Sequence, residues 1–128
     1  MTTTLLKHAT IWNATGADAF LGSVLIEGNR IKSVTEGSGE NNAADRIIDA
    51  AGKFLMPGMV EGHAHLSFGN AASTEEIIAP SPEAHTLITM QGAKDLIDAG
   101  FTSAYGASEA KLRLGVAIRD AVNAGQIP

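Results

Sequence analysis

Cysteine is absent from the chain. Disulfides and thiolate metal sites are therefore excluded. Long apolar runs are absent as well, and no stretch approaches the roughly 18 consecutive apolar residues of a membrane-spanning helix. Positive charge is scarce, with 9 Lys and Arg against 14 Asp and Glu and a formal net charge of −5. No basic patch stands out, which argues against nucleic acid or an anionic membrane as partner. The stretch Met1-Thr2-Thr3-Thr4-Leu5-Leu6-Lys7-His8 lacks the charged start, apolar middle and small-residue cleavage site of a signal peptide. A cytoplasmic protein is expected. In that setting the sequon Asn13-Ala14-Thr15 is read as chance.

What is present is the composition of a folded domain. The 128 residues make one average domain by length. They are 45% apolar and 18% charged, unlike a disordered chain. Residues 3–12, rich in Thr, Leu and Ile, read as a strand. Residues 20–36, "FLGSVLIEGNRIKSVTE", read as a hairpin: Val24 and Ile26 share a face, Gly28-Asn29 marks the turn, and Ile31 and Val34 resume the pattern. Residues 37–45 are a polar Gly/Asn loop. Residues 46–58, "RIIDAAGKFLMPG", read as a strand, a turn at Ala51-Gly52 and a second strand ended by Pro57-Gly58. The first 57 residues are thus mostly β.

After Gly58 the pattern changes. "MVEGHAH" is a short strand. Ser81-Pro82-Glu83 is a helix start, with Ser as cap, Pro at the first helical position and Glu in the positive first turn. Leu87, Met90, Ala93 and Ile97 recur at helical spacing, and Gly100 stops the helix. "FTSAYGA" is a further strand. Ser108 is placed to cap a second helix, with Leu114, Ile118, Ala121 and Val122 as its apolar stripe and Gly125 as its stop. Strand, helix, strand, helix is the pattern of parallel α/β units.

Two of the four histidines stand together in "GMVEGHAHLSFG", residues 58–69. Along a strand, residues i and i+2 point to one face, with Cα atoms roughly 6.5–7 Å apart. Imidazoles so spaced can reach one metal ion. His63 and His65 therefore share a face, and Glu61 shares it too. Gly62 and Ala64 point the other way, where small side chains let a helix pack close. Burying three such polar groups without partners is costly. A bound cation would satisfy both imidazoles, with Glu61 orienting a ligand or a bound water from behind. The cupin pattern also uses His-x-His, but it needs a glutamate four or five residues further on, where Gly69 and Asn70 stand.

The segment "DAAGKFLMPGMVEGHAHLSFG" resembles the first barrel strand of the amidohydrolase superfamily. Asp49, Gly52, Lys53, Pro57, Gly58, His63 and His65 match the family's pattern, and Glu61 stands where Asp is usual. "VLIEGNRIKSV" is similar to the family's N-terminal β-sandwich hairpin. "AKDLIDAGFTSAYGA" is similar to its first helix and second strand. "LRLGVAIRDAVNAGQIP" is similar to a helix of imidazolonepropionase-like members. That branch often carries Thr-Thr-Val-Arg-Asp in the second strand, where this chain has Thr102-Ser103-Ala104-Tyr105-Gly106.

The resemblance implies an α/β fold: residues 1–57 as the N-terminal part of a composite β-sandwich, and residues 58–128 as the first two β/α units of a (β/α)8 barrel. It implies one or two divalent ions, often zinc, with His63 and His65 as ligands and Glu61 behind them. It implies hydrolysis of amide or peptide-like C–N bonds through a metal-bound hydroxide, as in imidazolonepropionase or Xaa-Pro dipeptidase. The alternatives are a ring-amidine deaminase of the same superfamily, or a non-catalytic piece that needs a partner chain. Such a barrel takes about 250 residues. The expectation is therefore an N-terminal piece, truncated, cleaved or naturally split, whose catalytic residues lie beyond residue 128. Its partners would be the C-terminal remainder, a small amide or peptide substrate, and further copies of the assembled enzyme.

Tyr105 and Ser108, near the end of the second strand, are candidate substrate contacts. His8 and His85 read as structural or exposed, and Glu75-Glu76 as a solvated loop pair. Glu109, Lys111, Arg113 and Arg119 read as the wet side of a helix.

Overall fold

The computed structural model describes residues 1–37 and 43–127. Most of the Gly/Asn loop expected over residues 37–45 lies outside them. The chain forms two compact units, Met1–Pro57 and Gly58–Pro128.

The first unit is a single sheet. Its strands are β1 (Thr3–Ile11), β2 (Phe20–Glu27), β3 (Arg30–Glu36), β4 (Arg46–Asp49) and β5 (Phe54–Leu55). They run in the order β3-β2-β1-β4, with β5 also on β1. The hairpin closes where the sequence places it: Glu27 pairs with Arg30, and Gly28 between them takes φ 60°, a conformation that favours glycine. Ala9, Ile11, Val24 and Ala50 are buried together, with Leu6, Phe20, Ile26 and Leu55 packed on them. Burying a side chain such as Ile11 or Val24 contributes about 1.5–3 kcal/mol.

The reading of residues 46–58 as a strand-turn-strand needs a correction. β4 and β5 do not pair with each other. Both run parallel to β1, one beside Thr4–Lys7 and the other beside Thr10–Ile11. Between them β1 carries a bulge from Leu6 to Ala9. The Ala51-Gly52 turn loops out the surplus residues opposite that bulge, held by Lys53 N–H donating to Ala50 O at 2.9 Å. At the bulge His8 takes φ 61° and its Nδ1 lies 2.9 Å from Asp49 Oδ1.

The second unit runs β6 (Met59–Ala64), α1 (Thr74–Ile78), α2 (Pro82–Asp98), β7 (Phe101–Gly106) and α3 (Leu114–Asn123). β6 and β7 pair in parallel, which requires a crossover, and α2 is its helix. Ser81 caps α2 by accepting from Ala84 N–H at 3.3 Å, Pro82 opens it, and Gly100 follows it at φ 92°.

Three expectations fail here. First, the segment around Glu75 and Glu76 is not a loop but the short helix α1, although both carboxylates are exposed as expected. Ser73 Oγ accepts from Glu76 N–H at 3.2 Å, and Glu76 Oε2 accepts from Ala72 N–H at 2.8 Å, a reciprocal cap that stabilises one turn without an apolar stripe. Second, Ser108 caps nothing. α3 starts at Leu114, and Arg113 before it takes φ 65° with no side-chain cap. Third, the stripe chosen for α2 is not its buried face: Leu87 is 64% exposed and Ile97 43%, while His85 and Thr89 are buried. On the buried side Gly92 meets the backbone of Leu66, so closely that an added Cβ would stand 2.5 Å from Leu66 O. A helix pressed against backbone presents small or hydrogen-bonded groups there. Thr89 Oγ1 donates to His85 O at 2.7 Å, and His85 Nδ1 donates to Pro80 O at 3.2 Å. Among the described residues no helix is long and apolar enough to cross a membrane.

Candidate functional site

β6 carries His63, His65 opens the turn after it, and the strand is irregular where His63 stands. Glu61 pairs with Ala104 and Ala64 with Gly106, so Gly62 and His63 face the single residue Tyr105. That is a β-bulge, a device that re-aims a side chain. Glu61 stabilises it: its Oε1 accepts the His63 backbone N–H at 3.0 Å. The ring centroids of His63 and His65 are 5.0 Å apart, and the rings meet edge to face at 80°. Strict alternation therefore does not hold through residue 65, but the bulge keeps the two imidazoles adjacent. Ala64 between them is buried.

The three polar groups expected to be buried together are not. His63 and His65 are exposed and Glu61 is half-buried. Water can satisfy all three, so desolvation cost gives no reason for a cation here.

The His65 ring has two further partners. Its Nδ1 lies 3.3 Å from the carbonyl oxygen of Ser108. A carbonyl only accepts, so this contact is made with a proton on Nδ1. Phe68 stacks on the other side, with centroids 4.4 Å apart and planes 7° from parallel. Ser108 thus meets His65 through its backbone. Tyr105 is 73% exposed.

An open cleft of about 490 Å³ borders the pair. Glu61, His63 and His65 line it from β6 and the following turn, and Gln91 and Asp95 from α2. Gln91 Nε2 donates to Asp95 Oδ1 at 2.7 Å. Phe68, Gln91 and Asp95 were not singled out in the sequence. Phe68 follows His65 by three residues in a turn, where no periodicity marks a contact. Gln91 and Asp95 look like an ordinary solvated i, i+4 pair.

The pair fits part of a metal site. Two imidazoles on one tetrahedral ion, each with a metal–nitrogen bond of about 2.0–2.1 Å, have centroids roughly 5 Å apart. The observed spacing is 5.0 Å. A zinc ion takes three or four protein groups. Among the described residues no group of three or more His, Cys, Asp or Glu side chains converges to hold an ion. An ion held by the two histidines would need further ligands, and no other described residue converges to supply them.

No family model matches the chain. Over 65 residues it is 42% identical to a 5'-deoxyadenosine deaminase of Methanobrevibacter smithii, a match covering 51% of this chain and 15% of that protein. Over 86 residues it is 35% identical to an imidazolonepropionase of Streptomyces griseus, covering 59% of this chain and 21% of that protein. A solved Xaa-Pro dipeptidase with methionine bound in its active site superposes with a TM-score of 0.88 at 21% identity, over 99% of this chain and 31% of that one. A molinate hydrolase structure gives 0.80 at 24% identity, over 99% of this chain and 28% of that one. At such identities the structural likeness speaks for the fold. The matched part is under a third of the length of each of these proteins.

Proposed function

The chain resembles the N-terminal portion of amidohydrolase-superfamily proteins, and from that likeness we propose that it supplies the first metal-binding strand of a metal-dependent hydrolase acting on carbon–nitrogen bonds. His63 and His65 are the ligands it contributes. Gly58–Pro128 is the first pair of β/α units of a (β/α)8 barrel, and Met1–Pro57 is the N-terminal part of a composite β-sandwich. The other ligands and the catalytic residues come from polypeptide outside these 128 residues. The observation that carries this reading is the adjacency of the two rings at the end of β6, 5.0 Å between centroids. The ends of strands are where barrel enzymes of this kind gather their functional groups.

His63 and His65 would hold a divalent cation, zinc being the natural choice for two imidazoles, and when bound it would supply an activated water and polarise the bond under attack. The chain's own residues hold the site in shape. Glu61 fixes the His63 backbone at the bulge, and Ser108 O accepts a hydrogen bond from His65 Nδ1–H. Tyr105, exposed beside the bulge, is placed to meet substrate.

The primary reading is hydrolysis of an amide or peptide-like bond, in line with the 35% identity to an imidazolonepropionase. A ring-amidine deaminase is the second reading, favoured by the 42% identity to the 5'-deoxyadenosine deaminase.

The test uses the complete polypeptide that carries this chain. Metal content is measured by mass spectrometry for the wild type, His63→Ala and His65→Ala, and activity is assayed on Xaa-Pro dipeptides and on adenine nucleosides. Loss of metal and turnover in both variants is expected. Unchanged metal content in both would overturn the metal reading, and the preferred substrate class separates the two chemistries.

A further inference from the structure

The end of β6 and the turn after it are tied to the segment after β7 by three hydrogen bonds that alternate in direction between the two segments. Ala107 N–H donates to Ala64 O at 2.9 Å. His65 Nδ1 donates to Ser108 O at 3.3 Å. Ala110 N–H donates to Ser67 Oγ at 2.8 Å. Ser67 is 1% exposed, so its hydroxyl is not shared with bulk water. The turn itself closes through Phe68 N–H donating to His65 O at 3.1 Å, which brings the Phe68 ring under the imidazole. Residues 64–68 and 107–110 therefore form a clamp, and the middle bond of the clamp is the one that holds the His65 proton.

We propose that this clamp sets the tautomer and direction of His65, with Ser67 and Phe68 as its positioning residues. Its effect is specific. A free neutral imidazole in water favours the Nε2–H form, which would block the nitrogen on the open side. The Ser108 carbonyl accepts only from Nδ1–H, so it selects the other tautomer. Phe68 stacks parallel on the ring and removes its freedom to turn about χ2, and Ser67 fixes the backbone that carries the Ser108 carbonyl. Nε2 is thereby presented as a lone pair before any ligand arrives. A metal-ligating histidine held in this way through its other nitrogen is the arrangement that raises affinity. The value to metal binding rests on the proposed function; the tautomer does not.

The experiment uses the complete, metal-free polypeptide, held at a pH where its histidines are neutral. Long-range ¹H–¹⁵N correlation spectra report which nitrogen of His65 carries the proton. The wild type is expected to show Nδ1–H, and a predominantly Nε2–H ring would overturn the proposal whatever the variants do. Ser67→Ala and Phe68→Leu should shift the population toward Nε2–H, while Phe68→Tyr keeps the stack and the wild-type signal. Near-UV circular dichroism checks that each variant is folded. Folded Ser67→Ala and Phe68→Leu proteins that keep the Nδ1–H form would also overturn it. In parallel, zinc titration against a chromophoric chelator should show about a 10–100-fold weaker affinity in the two disrupted variants. A variant that loses the tautomer in a protein that binds no zinc at all supports the clamp and counts against the metal reading instead.

Discussion

Glu61 holds a backbone N–H with a carboxylate oxygen, across two residues and at a bulge. Glu61→Gln keeps an acceptor oxygen in place, whereas Glu61→Ala leaves the His63 N–H without its partner. In the complete protein, Glu61→Ala is expected to weaken zinc binding about 10–100-fold and Glu61→Gln much less. A chelator-competition titration reads both, and equal affinities in all three proteins would remove Glu61 from the site. A second residue-scale effect is acid sensitivity. The Asp49 carboxyl is held below the usual carboxylate range, first by the hydrogen bond from His8 and then by the Ala51 N–H. A carboxyl whose folded pKa is depressed contributes stability that is full above its unfolded value, near 4, and is lost as pH falls through the folded value. Asp49→Asn should therefore lose less stability than wild type between pH 6 and the acid range. Urea midpoints of both proteins along that series decide it. Asp45, lowered by the Thr3 backbone N–H and then the Thr3 hydroxyl, leaves a remaining slope in either case.

α2 presses closely on the turn after β6. A Cβ at Gly92 would stand 2.5 Å from Leu66 O and 3.3 Å from Leu66 C and Cα, all backbone atoms that cannot rotate away. Gly92→Ala gains helix propensity of about 0.8–1.0 kcal/mol. Overpacking of this kind typically costs about 1–3 kcal/mol. The steric effect wins, so chemical denaturation should show Gly92→Ala less stable than wild type. The His65 ring signals should shift as well, because Leu66 adjoins His65. Ser81→Ala, which removes the α2 cap, is expected to cost about 1 kcal/mol without moving those signals. The pair of variants separates a loss of stability from a displacement of the site.

At the scale of the whole molecule, the chain brings two imidazoles and exposes much apolar surface. Ile31 is 68% exposed, Phe54 59%, Val60 69%, Leu87 64% and Leu112 95%. Produced alone, residues 1–128 are expected to hold zinc only weakly and to self-associate. Size-exclusion chromatography with light scattering and zinc analysis after dialysis check this. A monodisperse, zinc-loaded monomer would point to a self-contained small metalloprotein and away from a barrel completed by other polypeptide.

Features encoded over a few residues were legible in the sequence. The Gly28 turn, the Ser81-Pro82 start of α2, the stop at Gly100 and the strand leading into the His-x-His pair all depend on local dihedral preference, capping and spacing, which act within one turn or one strand. The tertiary structure decided what depends on distant partners. β4 and β5 both join β1 because the bulge at His8 steps the sheet between them. α2 buries His85 and Thr89 because Gly92 seats that side of the helix on the Leu66 backbone. His65 finds its acceptor at Ser108, 43 residues along the chain, on the segment that follows β7. Periodicity carries no information about which carbonyl will face a ring after two strands have paired. The sequence by itself determined that two histidines come one residue apart at the end of a strand; only the paired strands and their connecting turns decided how the rings meet and which carbonyl faces His65 Nδ1.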